Sequence, residues 1–188
     1  MSESWEHTRL DHRSRQAASI ATAALSLLTQ HGAPALTMAA IADKADVSRQ
    51  TLYRYFKDID AVLVGIAELV TSHDEAFAQL VRQQSDPRSQ LELITSTATD
   101  DVPGHDHPKT AALLAVLPPA GRDIVAQHQA QANNVLREVL QRGRDDGTFS
   151  ADIDPGADAP LILGLLAAAD PSNLERAITL VHQLVESR

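Results

Sequence analysis

Cysteine is missing from all 188 residues, which removes a disulfide scaffold, a thiolate metal site and a cysteine nucleophile together. Aromatic residues make up only 3%, so a ligand pocket here would be walled by Ala, Leu, Ile, Val and Thr rather than by stacking rings. No apolar run approaches the ~18 residues of a membrane span; the longest candidate is Leu161 to Ala169. Met1 to Asp11 is polar and charged, without the apolar region of a signal peptide. These absences predict a cytoplasmic protein with no membrane partner. There is no Gly-x-Ser-x-Gly, no phosphate loop, no dinucleotide fingerprint and no Glu-x-x-His pair. No catalytic residue and no cofactor is expected, and the reading is of a protein that is not an enzyme.

What is present begins with charge. The formal net charge of −9 taken whole speaks against a polyanionic partner, but its distribution does not. Residues 1–57 hold seven Lys and Arg against five acids, a net of +2, while residues 58–188 hold nine against twenty, a net of −11. Fields act over about a Debye length, so the local sign governs what each surface attracts.

Nearly every segment reads as helix, which predicts an all-α fold. Ile20, Ala24, Leu27, Leu28 and His31 recur at helical spacing, and Gly32 stops the helix. Thr37 can cap a short helix through Ala45, and Ser48 another through about Tyr55. From Asp58 the apolar positions Val62, Ile66, Leu69 or Val70, His73, Phe77 and Leu80 predict one long helix to about Gln84. A helix over 87–99 follows, with Leu91, Ile94 and Ala98 on one face, and Asp100 to Pro108 is a loop by composition. Lys109 to Leu117 reads as a short apolar helix, Ala120 to Arg144 as a long one, and Phe149 to Pro155 as extended or turn-like. Helices over about 157–169 and 171–187, broken at Asp170-Pro171, close the chain.

The stretch from Thr37 to Phe56, TMAAIADKADVSRQTLYRYF, carries the functional signal. Two short capped helices stand three residues apart. Ala42 is small enough to let them cross closely, and Asp46 occupies a turn position that calls for left-handed backbone. Val47 and Leu52 anchor the second helix on the first. Its outer face then offers Ser48, Arg49, Gln50, Thr51, Tyr53, Arg54 and Tyr55, a donor-rich surface without an acid, about as wide as the DNA major groove.

This segment resembles the DNA-binding domain of TetR-family transcriptional regulators. The resemblance rests on Gly32, Thr37, Ile41-Ala42, Ala45-Asp46-Val47-Ser48, Thr51-Leu52-Tyr53 and Tyr55-Phe56, in order, and covers roughly residues 13–66. It departs at Asp46, where the family has glycine, and at Ile59, where the family usually places a phosphate-binding Lys. Lys57 either takes over that contact or the contact is missing. The resemblance implies a three-helix DNA-binding domain over 1–57, with a short N-terminal arm, and a helical effector-binding and dimerisation domain over 58–188. It implies that Thr37, Ser48, Thr51 and Tyr53 touch phosphates. Arg49 and Gln50 are the candidates for base edges, since each side chain can make paired hydrogen bonds, to guanine and adenine respectively. Arg54 and Tyr55 could meet either bases or backbone. In the arm, Arg9, Arg13 and Arg15 either add phosphate contacts or form a disordered basic tail.

For the body, the resemblance implies a homodimer that binds a palindromic operator and is released by a small hydrophobic effector, hence a repressor. The pocket candidates are Ile66, His73, Phe77, Ile94, Leu114, Leu117, Ile124 and His128. The dimer candidates are Leu161, Leu165, Leu174, Ile178, Val181 and Val185, on two apolar terminal helices, the last with a seam at 3–4 spacing of Leu174, Ala177, Ile178, Val181, Leu184 and Val185; the helices could form a four-helix bundle across a two-fold axis, or one or both could bury into their own monomer. Two other readings compete. His105 and His107 with Asp100, Asp101 and Asp106 resemble a loose metal cluster, but no third ligand is set by spacing, and a solvated acidic loop is the better account. The second is an effector-independent helix-turn-helix protein with a filled C-terminal core.

Overall fold

The computed structural model describes residues 3–72, 74–96, 113–170 and 172–186, with side chains from residue 12 onward, Asp74 excepted. The helices of seven residues or more are α1 Glu3–His31, α2 Met38–Lys44, α3 Arg49–Tyr55, α4 Ile59–Thr71, α5 Asp74–Gln83, α6 Pro87–Ser96, α7 Pro119–Asp145, α8 Pro155–Ala168 and α9 Leu174–Val185. Residues 113–116 add a further helical turn. The only β-like pairing among the described residues is one isolated bridge between Phe149 and Glu186, so the all-α expectation holds.

Two compact units form. The first gathers Met1–Thr71 with Lys109–Val125, and the second Ser72–Pro108 with Ala126–Arg188. The first unit's core joins Ile20, Ala24 and Leu28 of α1 to Ile41 and Ala42 of α2, Leu52 of α3, and Val62, Leu63, Ile66 and Ala67 of α4. Leu113, Leu117 and Val125 complete it. The second unit's core takes Ala78 and Val81 from α5, Leu91 and Ile94 from α6, and Val135, Leu136, Val139 and Leu140 from α7. Phe149, Ile162, Leu166, Ala177, Val181 and Val185 close around them.

The helix expected from Asp58 to about Gln84 is two helices, α4 and α5. The Thr71 hydroxyl donates back to the carbonyls of Ala67 at 3.0 Å and Glu68 at 3.4 Å. Such bonds compete with the helical ladder, and Ser72 follows as a turn. The buried residues of α4 then belong to the first core and those of α5 to the second. The start of α6 is set by Asp86, whose carboxylate accepts from the Ser89 amide at 2.9 Å, the Ser89 hydroxyl at 2.8 Å and the Ser85 hydroxyl at 2.9 Å. Those bonds hold the Asp86 carboxyl down at about 2.

At the other end of the second unit, Ser150 donates to the Val185 carbonyl at 2.9 Å. The Phe149 ring packs against Gly143, where an added Cβ would collide with it. His73, the loop over 100–108 with His105 and His107, Ala98 and Pro171 lie outside the described residues.

Candidate nucleic-acid interface

The two short helices form because their first turns are satisfied by side chains. Thr37 caps α2, its hydroxyl accepting from the Ala40 amide at 3.1 Å. Ser48 caps α3, accepting from the Thr51 amide at 3.0 Å and lying 2.9 Å from the Thr51 hydroxyl. Between the helices Asp46 stands at φ 52°, the only non-glycine with positive φ among the described residues. That is the left-handed turn expected of it. The Val47 amide reaches back to the Ala42 carbonyl at 3.0 Å, closing the turn over the small Ala42, which is fully buried.

Leu52 is completely buried, while Ser48, Arg49, Gln50, Tyr53, Arg54 and Lys57 are exposed and Thr51 and Tyr55 half-buried. All of the expected contact residues from Ser48 to Lys57 thus lie on or beside one short helix, and Thr37 is exposed at the start of its neighbour. Tyr53 keeps 55% of its surface open, so its ring as well as its hydroxyl is available outside. The Arg54 guanidinium sits 5.4 Å from the Tyr55 ring centre, a stacking that orients the arginine and that spacing alone did not reveal. Phe56 ends the helix, its amide donating to the Leu52 carbonyl at 2.9 Å. Its ring lies against Gly65 of α4.

Geometry separates the roles of Lys57 and Ile59. Ile59 packs against the first core, and its side chain is committed there. Lys57 is a highly exposed ammonium 3.7 Å from the Asp58 carboxylate, and that carboxylate also accepts from the Ala61 amide at 2.8 Å, capping α4. An exposed pair of this kind is worth little and does not fix the Lys57 ammonium in place. Upstream, the segment expected as an arm is helical: α1 is continuous from Glu3, and Arg13 and Arg15 are exposed.

The pocket candidates divide between the units. Ile66 and Leu117 are buried in the first core and Ile124 packs against it, whereas Ile94 is buried in the second and Phe77 packs against that one. Leu114 is exposed and His128 half-buried. In the second core the buried Gln90 donates from Nε2 to the Val81 carbonyl at 3.1 Å, and its Oε1 has no partner among the described residues.

The dimer candidates need correcting by face. Val181 and Val185 are buried in the chain's own second core, and Leu174 and Ile178 pack against it. Of the α9 seam only Leu184 is exposed, because Ala177, Val181 and Val185 close this core and Leu174 and Ile178 pack beside them. The outward leucines are Leu161 and Leu165 on α8 and Leu180 and Leu184 on α9; Leu180 escaped the sequence reading because it falls outside that stripe.

Residues 20–66 match the family model for bacterial regulatory proteins of the tetR family. No curated protein sequence matches the chain. Among solved structures, the reduced form of NemR from E. coli superposes with a TM-score of 0.76 at 16% identity, over 92% of this chain and 99% of that one. A TetR transcription regulator from Haloarcula marismortui gives 0.76 at 23% identity, over 92% and 97%. FadR from Bacillus subtilis, in complex with stearoyl-CoA, gives 0.68 at 18% identity, over 89% and 98%. At these identities the likeness is one of fold.

Proposed function

Given that this chain belongs to the TetR family of bacterial transcriptional regulators, we propose that it is a cytoplasmic, ligand-responsive repressor acting as a homodimer on a palindromic operator. Residues 1–57 read DNA, and residues 58–188 sense an effector and dimerise. The observation that carries the reading is the recognition helix α3: capped by Ser48, positioned by the left-handed Asp46, and exposing Arg49, Gln50, Tyr53 and Arg54 with no acid among them. Thr37, Ser48, Thr51 and Tyr53 set register on phosphates, with Lys57 in the place the family gives to a Lys two residues later. Arg49 and Gln50 read base edges.

Dimerisation uses the exposed leucines of α8 and α9, Leu161, Leu165, Leu180 and Leu184, which place two helices per subunit in a four-helix bundle. The two recognition helices then stand ~34–36 Å apart, one turn of DNA. The effector is small and largely apolar, in keeping with an aliphatic second core; a larger acyl-CoA is the ligand named for FadR from Bacillus subtilis. Effector binding favours a dimer geometry whose recognition helices no longer match the operator. The test selects duplexes from a randomised pool and compares matched with scrambled operators. Tyr53→Phe weakens binding to both alike, and Arg49→Ala changes sequence preference. Equal effects of the two substitutions on both duplexes would overturn the division of labour, and release of the bound duplex by no member of a panel of small hydrophobic molecules would overturn effector control.

A further inference from the structure

We propose that the effector carries a neutral hydrogen-bond donor, an alcohol or a primary amide, on an aliphatic body, and that Gln90 and Asn133 accept from it. This rests on the effector-sensing reading and adds the chemical class that the second unit takes. Among the described residues the only buried polar side chains are Gln90 and Thr95. Thr95 is committed: its hydroxyl donates back to the Leu91 carbonyl at 3.0 Å and lies 3.4 Å from Nε2 of His182. Gln90 is only half committed. Its Nε2 donates to the Val81 carbonyl at 3.1 Å, and its Oε1 has no partner among the described residues. Half-buried Asn133 on α7 repeats the pattern: its Nδ2 donates to the Gln129 carbonyl at 2.9 Å, while its buried Oδ1 has no such partner.

The two oxygens belong to one region of the second unit. Gln131 donates to the Glu75 carboxylate at 3.1 Å and Arg82 to that of Glu138 at 3.3 Å, both pairs 56 residues apart. Helices α5 and α7 therefore run parallel in one register, which sets Asn133 level with Phe77. Asn133 also shares the helical face of Leu136 and Leu140, both fully buried. Gln90 is fixed to Val81, on the same side of α5 as Phe77 and about one turn, ~6 Å, further along it. Both acceptors thus border an otherwise apolar stretch formed by Phe77, Ile94 and Leu136.

That pair of acceptors selects among polar groups. A buried acceptor left unmet costs its desolvation, and only a donor recovers that cost. The bond to Val81 fixes the Gln90 amide, so little side-chain freedom is lost when its oxygen is met. A carboxylate, ester or ketone brings further acceptors, and a carboxylate meets no buried Lys or Arg among the described residues. An ammonium in turn meets no buried Asp or Glu there and would lose its hydration uncompensated. A neutral donor is what remains.

The experiment titrates the full-length protein, free of DNA, by calorimetry with saturated chains from butyl to octyl. Alcohol and primary-amide head groups are compared with carboxylate and methyl ester at equal chain length. The amide and the alcohol bind about 10–100-fold more tightly than the methyl ester, since the ester leaves buried acceptors unpaired. In Gln90→Leu the preference shrinks to about threefold or less, and Asn133→Leu lowers it as well. Equal affinity across head groups, a preference for the carboxylate, or a preference that survives Gln90→Leu overturns the proposal. Should circular dichroism show Gln90→Leu unfolded, the head-group order of the wild type and its change in Asn133→Leu decide. Binding of no member at any length overturns the effector-sensing reading itself, and the proposal with it.

Discussion

Gly65→Ala tests whether the body of the first unit holds the recognition helix through a single ring. A Cβ at residue 65 would stand 2.6 Å from Cε1 and 3.0 Å from Cζ of Phe56. Ordinary carbon contacts begin near ~3.5 Å, so the ring must retreat by almost 1 Å. It has little room, because Phe56 is only 8% exposed and packed in the first core. Overpacking of this kind costs about 1–3 kcal/mol. Against it, alanine in the middle of α4 gains about 1 kcal/mol over glycine. The net is a loss of about 1 kcal/mol, with operator affinity falling as well, since Phe56 closes α3 through its bond to the Leu52 carbonyl at 2.9 Å. Urea unfolding at one fixed protein concentration reads the stability, and a gel shift on the selected duplex reads the affinity. Phe56→Leu shrinks the ring and makes room, so the double variant should be less destabilised than the sum of the single ones. Additivity within about 0.5 kcal/mol, or a gain from Gly65→Ala alone, would refute the clash.

Other expectations follow from single contacts. Ser48→Ala removes the cap of a seven-residue helix and costs about 1 kcal/mol of stability, measured by urea unfolding; Ser48→Asp retains the cap but repels phosphate, separating folding from operator affinity. Asp46→Gly relieves left-handed backbone at φ 52° and should raise stability by up to about 1 kcal/mol; a lower midpoint would mean that the aspartate side chain holds the turn. Leu165→Glu with Leu184→Glu, both exposed in the single chain, should give a monomer by sedimentation at micromolar concentration without loss of helix content. Asp86 is held down at about 2 from an ordinary 3.8, so the stability it adds is present above pH 3.8 and is lost as pH falls through 2. The Tm gap between wild type and Asp86→Asn should therefore be constant from pH 5 to 7 and close near pH 2; a gap of the same size at pH 2 would contradict the hydrogen-bond assignment.

The DNA-reading half was legible because its signals are local. Capping residues, a left-handed position and a small crossing residue act within four or five residues of chain, so Thr37, Asp46, Ser48 and Ala42 could be assigned without knowing what packs where. Ile59 shows the limit of that locality. Its departure from the family pattern was visible, but whether the position faced phosphate or core depended on α4 lying against α1, a contact between residues far apart in sequence.

The second half shows why periodicity alone misassigns faces. In α9 the spacing of Leu174, Ala177, Ile178, Val181, Leu184 and Val185 identifies an apolar stripe, and most of it is buried. Periodicity cannot say whether the stripe meets its own chain or a second copy, because burial favours both in the same way. The decision lies in what α5, α6 and α7 leave uncovered: Ala78, Val81, Leu91 and Leu136 form a core that needs a lid, and α9 supplies it with Val181 and Val185. Leu180 and, from the stripe itself, Leu184 then lie outside a satisfied core together with Leu161 and Leu165. Those four leucines, and not the inward stripe, are the surface on which the proposed dimer rests. The same reasoning applies to the break at Thr71: an apolar repeat continued through it, but the residues on either side serve different cores, and periodicity does not say which core a residue joins.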